Sequence, residues 1–174
     1  MPTDDTRLKR WSLISAGLCF GFALFLPIAI ILTLTIGPNL SDLAAEEYGV
    51  AYPGTLPLDV AALIWAAALA PAALTSAMLL IAARALARFA QGDWFHRSAG
   101  AAVRAIGALV GAILAVEFVF DVILQFALQP NGGSLDIAVS SGGVLTALLA
   151  LALFLIGDVL TRAAALAEDA AAIV

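Results

Sequence analysis

Three polar side chains lie in the middle of an apolar stretch of this sequence. Glu117, Asp121 and Gln125 are spaced four residues apart within AVEFVFDVILQFALQ, residues 115–129. In a helix this spacing places them along one face, because each residue turns by about 100°. Two carboxyl groups one turn apart can bind a proton, a cation or a small cationic ligand, and such a pair can also do acid–base chemistry. We expect no enzyme here, because no nucleophile, metal cluster or oxyanion motif accompanies the acids.

The composition around these acids is that of a membrane protein. Of the 174 residues, 63% are hydrophobic and 12% are charged, and the mean hydropathy is +1.06. Soluble domains carry about 25% charged residues. Cys19 and His96 are single in the sequence, so we predict no intrachain disulfide, no histidine-based metal site and no cofactor. We expect a lipid bilayer as the surroundings and no nucleic-acid partner.

Four apolar segments are each long enough to cross a bilayer, which takes about 20 helical residues. They are Trp11–Ile36, Leu58–Ala83, Ala101–Leu128 and Leu135–Leu160. The sequence therefore predicts one all-α domain, an antiparallel bundle of four membrane-spanning helices with an outer loop at 37–57 and a cytoplasmic loop at 84–100. The first segment follows a basic leader, but it is too long for a signal peptide and no small-residue cleavage site follows it. We interpret it as a retained anchor.

The basic residues predict the orientation. All eight Lys and Arg precede the first segment, lie between the second and third or in the first turn of the third, or follow the fourth. By the positive-inside rule, both termini and the loop 84–100 are then cytoplasmic, and we expect a multi-pass protein of a bacterial inner membrane. Asp158 precedes Arg162 by one turn, which predicts an intrahelical ion pair.

The arginines around the central loop form a set that we call the arginine collar. It consists of Arg84, Arg88, Arg97 and Arg104. The collar either anchors the protein among lipid headgroups or forms a docking surface for a cytoplasmic partner.

At their predicted depth in the bilayer, Glu117 and Asp121 need a partner or a proton that offsets the free-energy cost of their charge. Counted from Gln129 at about 1.5 Å per residue, Asp121 lies some 12 Å and Glu117 some 18 Å below the outer boundary. A charge there costs about 3 kcal/mol or more. The nearest basic residue of the same segment, Arg104, is 13 residues away, or about 20 Å. Protonation, a bound cation or a basic group from another molecule would satisfy the acids.

Further polar groups of the other segments are expected at the same depth, and carboxylate and hydroxyl oxygens suit a proton or a hard cation. The candidate binding residues are Glu117, Asp121, Gln125, Trp65, Ser140, Ser141 and Thr146. Two alternatives stay open. The acids and their neighbours only hydrogen-bond to one another and fix the helix register, or they contact a partner subunit.

Small residues predict where helices pack closely, because they let helix backbones approach in lipid. The candidate packing residues are Gly17, Gly21, Gly107, Gly111, Gly142 and Gly143. Their contacts form either within one chain or between chains, in a homo-oligomer or with another membrane protein.

The central loop and the last helix resemble a known family. The turn FAQGDWF, the following RAIG and the ending ALAED, with a terminal apolar pair, are similar to the bacterial domain-of-unknown-function family 2975. The matching positions are Gly92, Phe95, Arg104, Gly107 and Glu168. The resemblance implies a small four-helix inner-membrane protein that accompanies small cytoplasmic regulators, and it implies no particular activity.

The sequence as a whole favours binding over catalysis. We expect a small bacterial inner-membrane protein that binds a proton, cation or small cationic ligand in an outer-leaflet cavity around Glu117 and Asp121. The alternative is a regulatory or scaffold membrane subunit that assembles with partner proteins through its glycine ridges and basic loop.

Overall fold

The described part of the chain is made of long helices. The computed structural model describes residues 3–37, 40–42, 56–91, 97–128 and 141–171. Within these ranges it forms four long helices, α1 (Thr3–Ile36), α2 (Leu58–Ala90), α3 (Arg97–Leu128) and α4 (Ser141–Ala171), and residues 40–42 are also helical. Each of the four long helices contains a stretch that is long and apolar enough to cross a membrane. The prediction of an all-α four-helix membrane bundle is confirmed.

The helices extend past the predicted spans at the end where the Lys and Arg residues lie, which we call the basic end. α2 continues to Ala90 and α4 to Ala171, beyond the predicted ends at Ala83 and Leu160. Alanine, leucine and arginine are strong helix formers, so the helix does not stop where hydropathy falls. The 33 residues of α2 span about 50 Å, against about 30 Å of hydrocarbon. The predicted start of the fourth span, Leu135, lies outside the described residues.

The helices pack as an open row in chain order. α1 packs on α2, α2 on α3 and α3 on α4, and no other pair of the described helices makes extensive contact. α2 uses different faces for its two neighbours: Val60 clusters with Leu124 of α3, whereas Ala83 borders a groove with Ala16 of α1. These two positions lie about 140° apart around the axis of α2. Both broad faces of the row are therefore left open by the described helices.

The open row exposes apolar side chains, as contact with lipid requires. Phe22 of α1 is 60% exposed and Leu145 of α4 is 67% exposed, at the two ends of the row. Among the described residues, no polar or charged residue is buried. In lipid, apolar burial does not drive helices together, so their association depends on close backbone packing and on hydrogen bonds.

Candidate functional site

Glu117 and Asp121 lie on α3 between its contacts with its two neighbours. On one side Leu124 packs against α2, and on the other Gly107 lies against the backbone of α4. Since each residue turns the helix by about 100°, the Leu124 and Gly107 contacts lie about 100° apart around the axis of α3. Both acids lie within the angle between these two contacts. We call this strip of α3 the acid face. Because the two contacts are only about 100° apart, the row bends at α3, and the acid face lies on the inner side of the bend.

Both acidic side chains are exposed. The side-chain amide nitrogen of Gln125 donates a hydrogen bond to Asp121 Oδ2 at 3.4 Å, which is long for an N–H···O bond. Within the described ranges, neither acid forms an ion pair with a Lys or Arg, and no group of three His, Cys, Asp or Glu side chains could hold a metal ion. Both carboxyl groups are therefore exposed among the described helices, and the cavity expected around them stays a prediction.

Trp65 lies on a different side of the row from the acids. It precedes Ala83, which borders the groove with α1, by 18 residues, or five whole helical turns. It follows Val60, which packs against α3, by five residues, or a turn of about 140°. Trp65 therefore belongs to the α1 side of α2, and the structure does not bring it to the acids.

Thr146 lies on α4, which packs against the Gly107 side of α3. It lies one turn from Ala150 of α4, which faces Gly107 of α3, so in an antiparallel pair it is within about one turn of Glu117 in height. Its hydroxyl donates to the carbonyl oxygen of Gly142 at 2.9 Å and is thereby held by its own helix. The other two candidate hydroxyls, Ser140 and the Ser141 side chain, lie outside the described residues.

The tightest helix contact in the described chain joins α3 to α4. A Cβ atom added at Gly107 would lie 2.5 Å from the backbone nitrogen of Phe154, and one added at Gly100 would lie 2.6 Å from that of Thr161. Such approaches leave no room for any side chain. The glycines therefore allow the two backbones to touch.

Two glycines of this contact were missed by the sequence analysis. Gly100 is one, and Gly157, where a Cβ would meet the backbone of Arg104, is the other. Neither belongs to a GxxxG pair. The signal that would have found them is a spacing of seven residues, from Gly100 to Gly107 and from Ala150 to Gly157, which keeps small residues on one face because seven residues make about two turns.

The other candidate packing glycines for which the structure gives contacts do not lie against the backbone of a neighbouring helix. A Cβ at Gly17, Gly21 or Gly111 would meet no atom within 4 Å, so the close approach that their spacing permits is not made within the described chain. Gly142 is exposed and Gly143 is partly buried.

Within the described residues, the arginine collar divides into members with and members without a carboxylate partner. Arg104 of α3 lies 3.8 Å from Asp158 of α4, and Arg162 lies 2.8 Å from the same carboxylate. The predicted pair of Asp158 and Arg162 is therefore present, and a second bridge links the two helices. Arg84 and Arg88, in contrast, form no ion pair with a carboxylate of the described residues. The Arg97 side chain lies outside the described residues.

The unpaired arginines border two grooves on either side of α2. One groove, of about 320 Å³, lies between α2 and α3 and includes Arg84, Arg88 and Ser98. The other, of about 290 Å³, lies between α1 and α2 and has Arg84 at its rim. Both are at the basic end and far from the acid face.

Comparisons with family models, with curated proteins and with solved structures give no match for this chain. The resemblance to family 2975 stays a prediction.

Proposed function

We propose that this multi-pass membrane protein is a regulatory or scaffold subunit, and that it assembles with another transmembrane protein through the acid face of α3. The observation that carries the proposal is the exposure of Glu117 and Asp121 on an open side of the helix row. A carboxylate facing hydrocarbon is costly, so intramembrane acids are normally found against a partner group or a water-filled cavity.

The proposed partner offers a basic side chain at the depth of the acids. All eight Lys and Arg of this chain occur near the basic end of its helices, so a second copy in the same orientation has none to offer there. A Lys or Arg in a neighbouring helix would satisfy the carboxylates by ion pairing in a low-dielectric medium. The partner is therefore a different protein.

The alternative of a bound cation has weaker support. Hard cations such as Ca²⁺ take about six to eight converging oxygen ligands. On the acid face, Gln125 turns its amide nitrogen toward Asp121, and the nearby Thr146 donates its hydroxyl to its own helix. A single proton on one carboxyl group needs fewer ligands, and its effect is separable by varying the pH.

The location and orientation belong to the same proposal. The distribution of Lys and Arg supports an orientation with both termini and the arginine collar on the cytoplasmic side, and the proposed membrane is a bacterial inner membrane. A role beside a cytoplasmic regulator, which the predicted resemblance to family 2975 implies, belongs to the same proposal.

A synthetic helix tests the proposed partner chemistry. A single-span Leu-rich peptide with one Lys in its outer half, and a matched peptide with Leu in its place, are reconstituted in vesicles with the fluorescently labelled protein. We expect energy transfer to be stronger with the Lys peptide. An association gain of about tenfold, or about 1.4 kcal/mol, is the expected scale for one such pair.

Two variants of the protein complete this test. Glu117→Gln combined with Asp121→Asn should remove the preference for the Lys peptide, whereas Asp59→Asn, an exposed acid at the start of α2, should keep it. Equal transfer with both peptides would contradict the proposal. A melting temperature that depends on pH or cations without any peptide, and no longer does so in the double variant, would favour the ligand-binding alternative instead.

A further inference from the structure

The groove between α2 and α3 at the basic end has the character of a lipid site. Its volume of about 320 Å³ is at the lower end of the range of about 300–1,000 Å³ that is usual for small-molecule sites. One part of it is polar, with two arginines and a serine, and the remainder is formed by Ile81 and small alanines. A groove with one cationic and one apolar part matches a molecule with an anionic head and an apolar chain.

The two arginines of this groove are available to an anion. Arg84 and Arg88 are one turn apart on α2 and both are exposed. Arg104 is already bridged to Asp158, whereas Arg84 and Arg88 have no carboxylate partner in the described part of the chain. Guanidinium groups bind phosphate oxygens through paired N–H donors, so two of them at one groove suit a phosphate.

The height of the groove is that of lipid headgroups. Arg84 is 26 residues beyond Leu58, the first residue of α2, or about 39 Å along the helix. A hydrocarbon core is about 30 Å thick. When Leu58 lies at one boundary, Arg84 therefore lies beyond the other boundary, among the headgroups, and Ile81 lies closer to the acyl chains.

We propose that this groove, which we call the headgroup groove, binds one anionic phospholipid of the leaflet at the basic end. Its phosphate lies between Arg84 and Arg88, and its acyl chain follows the apolar part of the groove past Ala102 and Ala105. Basic pockets between transmembrane helices are known to bind anionic headgroups. The site is separate from the acid face, so the two proposals succeed or fail independently.

The test uses the purified full-length protein in a neutral detergent. Phosphatidylglycerol, phosphatidylcholine or inorganic phosphate is added, and bound lipid is counted by native mass spectrometry while the melting temperature is followed. We expect phosphatidylglycerol to bind and to raise the melting temperature, and phosphatidylcholine to do neither. Arg84→Gln with Arg88→Gln should weaken the apparent affinity about tenfold. Arg7→Gln with Arg10→Gln removes the same charge at the same end, outside the groove, and should leave binding unchanged.

A second variant leaves both arginines in place. Ala102→Phe fills the headgroup groove, so it should also abolish the effect of phosphatidylglycerol. Three results would overturn the proposal. The first is an equal loss of phosphatidylglycerol binding in the two arginine double variants, and the second is undiminished binding in the Ala102→Phe protein. The third is a rise in melting temperature with inorganic phosphate equal to that with phosphatidylglycerol, which would identify a free-phosphate site instead.

Discussion

At the scale of single residues, one serine of α1 and one of α2 differ in their hydrogen bonding. The Ser12 hydroxyl of α1 donates to the carbonyl oxygen of Leu86 in α2 at 2.5 Å, and so links the two helices. Ser76 of α2 is half-buried as a residue, but its hydroxyl oxygen is shielded from solvent and has no hydrogen-bond partner among the described residues. A buried polar group without a partner costs free energy, whereas a bonded one contributes a modest net gain.

The two serines give a matched pair of alanine substitutions. Ser12→Ala should lower the free energy of unfolding by about 0.5–1.5 kcal/mol because an interhelical hydrogen bond is lost. Ser76→Ala should leave it unchanged or raise it by up to about 1 kcal/mol because an unsatisfied hydroxyl is removed. Unfolding in mixed micelles, titrated with a denaturing detergent, measures both. A larger loss for Ser76→Ala than for Ser12→Ala would contradict this assignment.

At the scale of elements, α3 contains two glycines with different surroundings. Gly107 faces the backbone of α4, whereas a Cβ at Gly111 would have open space around it. The sequence pattern predicts the same packing role for both glycines, because both belong to the same GxxxG spacing. Their difference depends on where α4 crosses α3, which is set by Gly100 and Gly157 as well.

Alanine substitutions at Gly107 and Gly111 distinguish the effect of helix packing on stability from the effect of helix propensity. Gly107→Ala should destabilise the protein by about 1–3 kcal/mol, because the new Cβ forces α3 and α4 apart. Gly111→Ala should be neutral or stabilise it by up to about 1 kcal/mol, because alanine is the better helix former and nothing obstructs it. The same detergent titration applies, and equal effects would mean that α3 and α4 do not cross at Gly107.

The helices themselves were predictable, and the reason is physical. A bilayer demands about 20 apolar residues per span and internally bonded backbone, so hydropathy alone predicts four helices. Hydropathy does not say which face of a helix meets its neighbour. Hydropathy therefore does not separate Trp65, on the α1 side of α2, from the acid face, and it does not tell whether Glu117 and Asp121 are exposed or enclosed.

At the scale of the whole molecule, the open row predicts that α1 lies close to α2 and far from α4. Ser12 of α1 is next to Leu86 of α2, and following the row across α3 and α4 leads to Leu160 at the same height. With Cys19 replaced by Ser, a short bismaleimide should crosslink Ser12→Cys to Leu86→Cys within one chain. It should fail to join Ser12→Cys to Leu160→Cys, because two helices lie between them. Efficient crosslinking of the second pair within one chain would mean that the row closes into a ring.

Because each described helix packs on the one before it in the chain, assembly can follow the order of synthesis. α1 meets its neighbour as soon as α2 enters the bilayer, and each later helix completes its own contact on arrival. Contacts between elements close in sequence need little loop closure and form early. Each helix therefore waits for only the next one in the chain to complete its contacts, and the open broad sides of the row become available to other subunits during insertion itself.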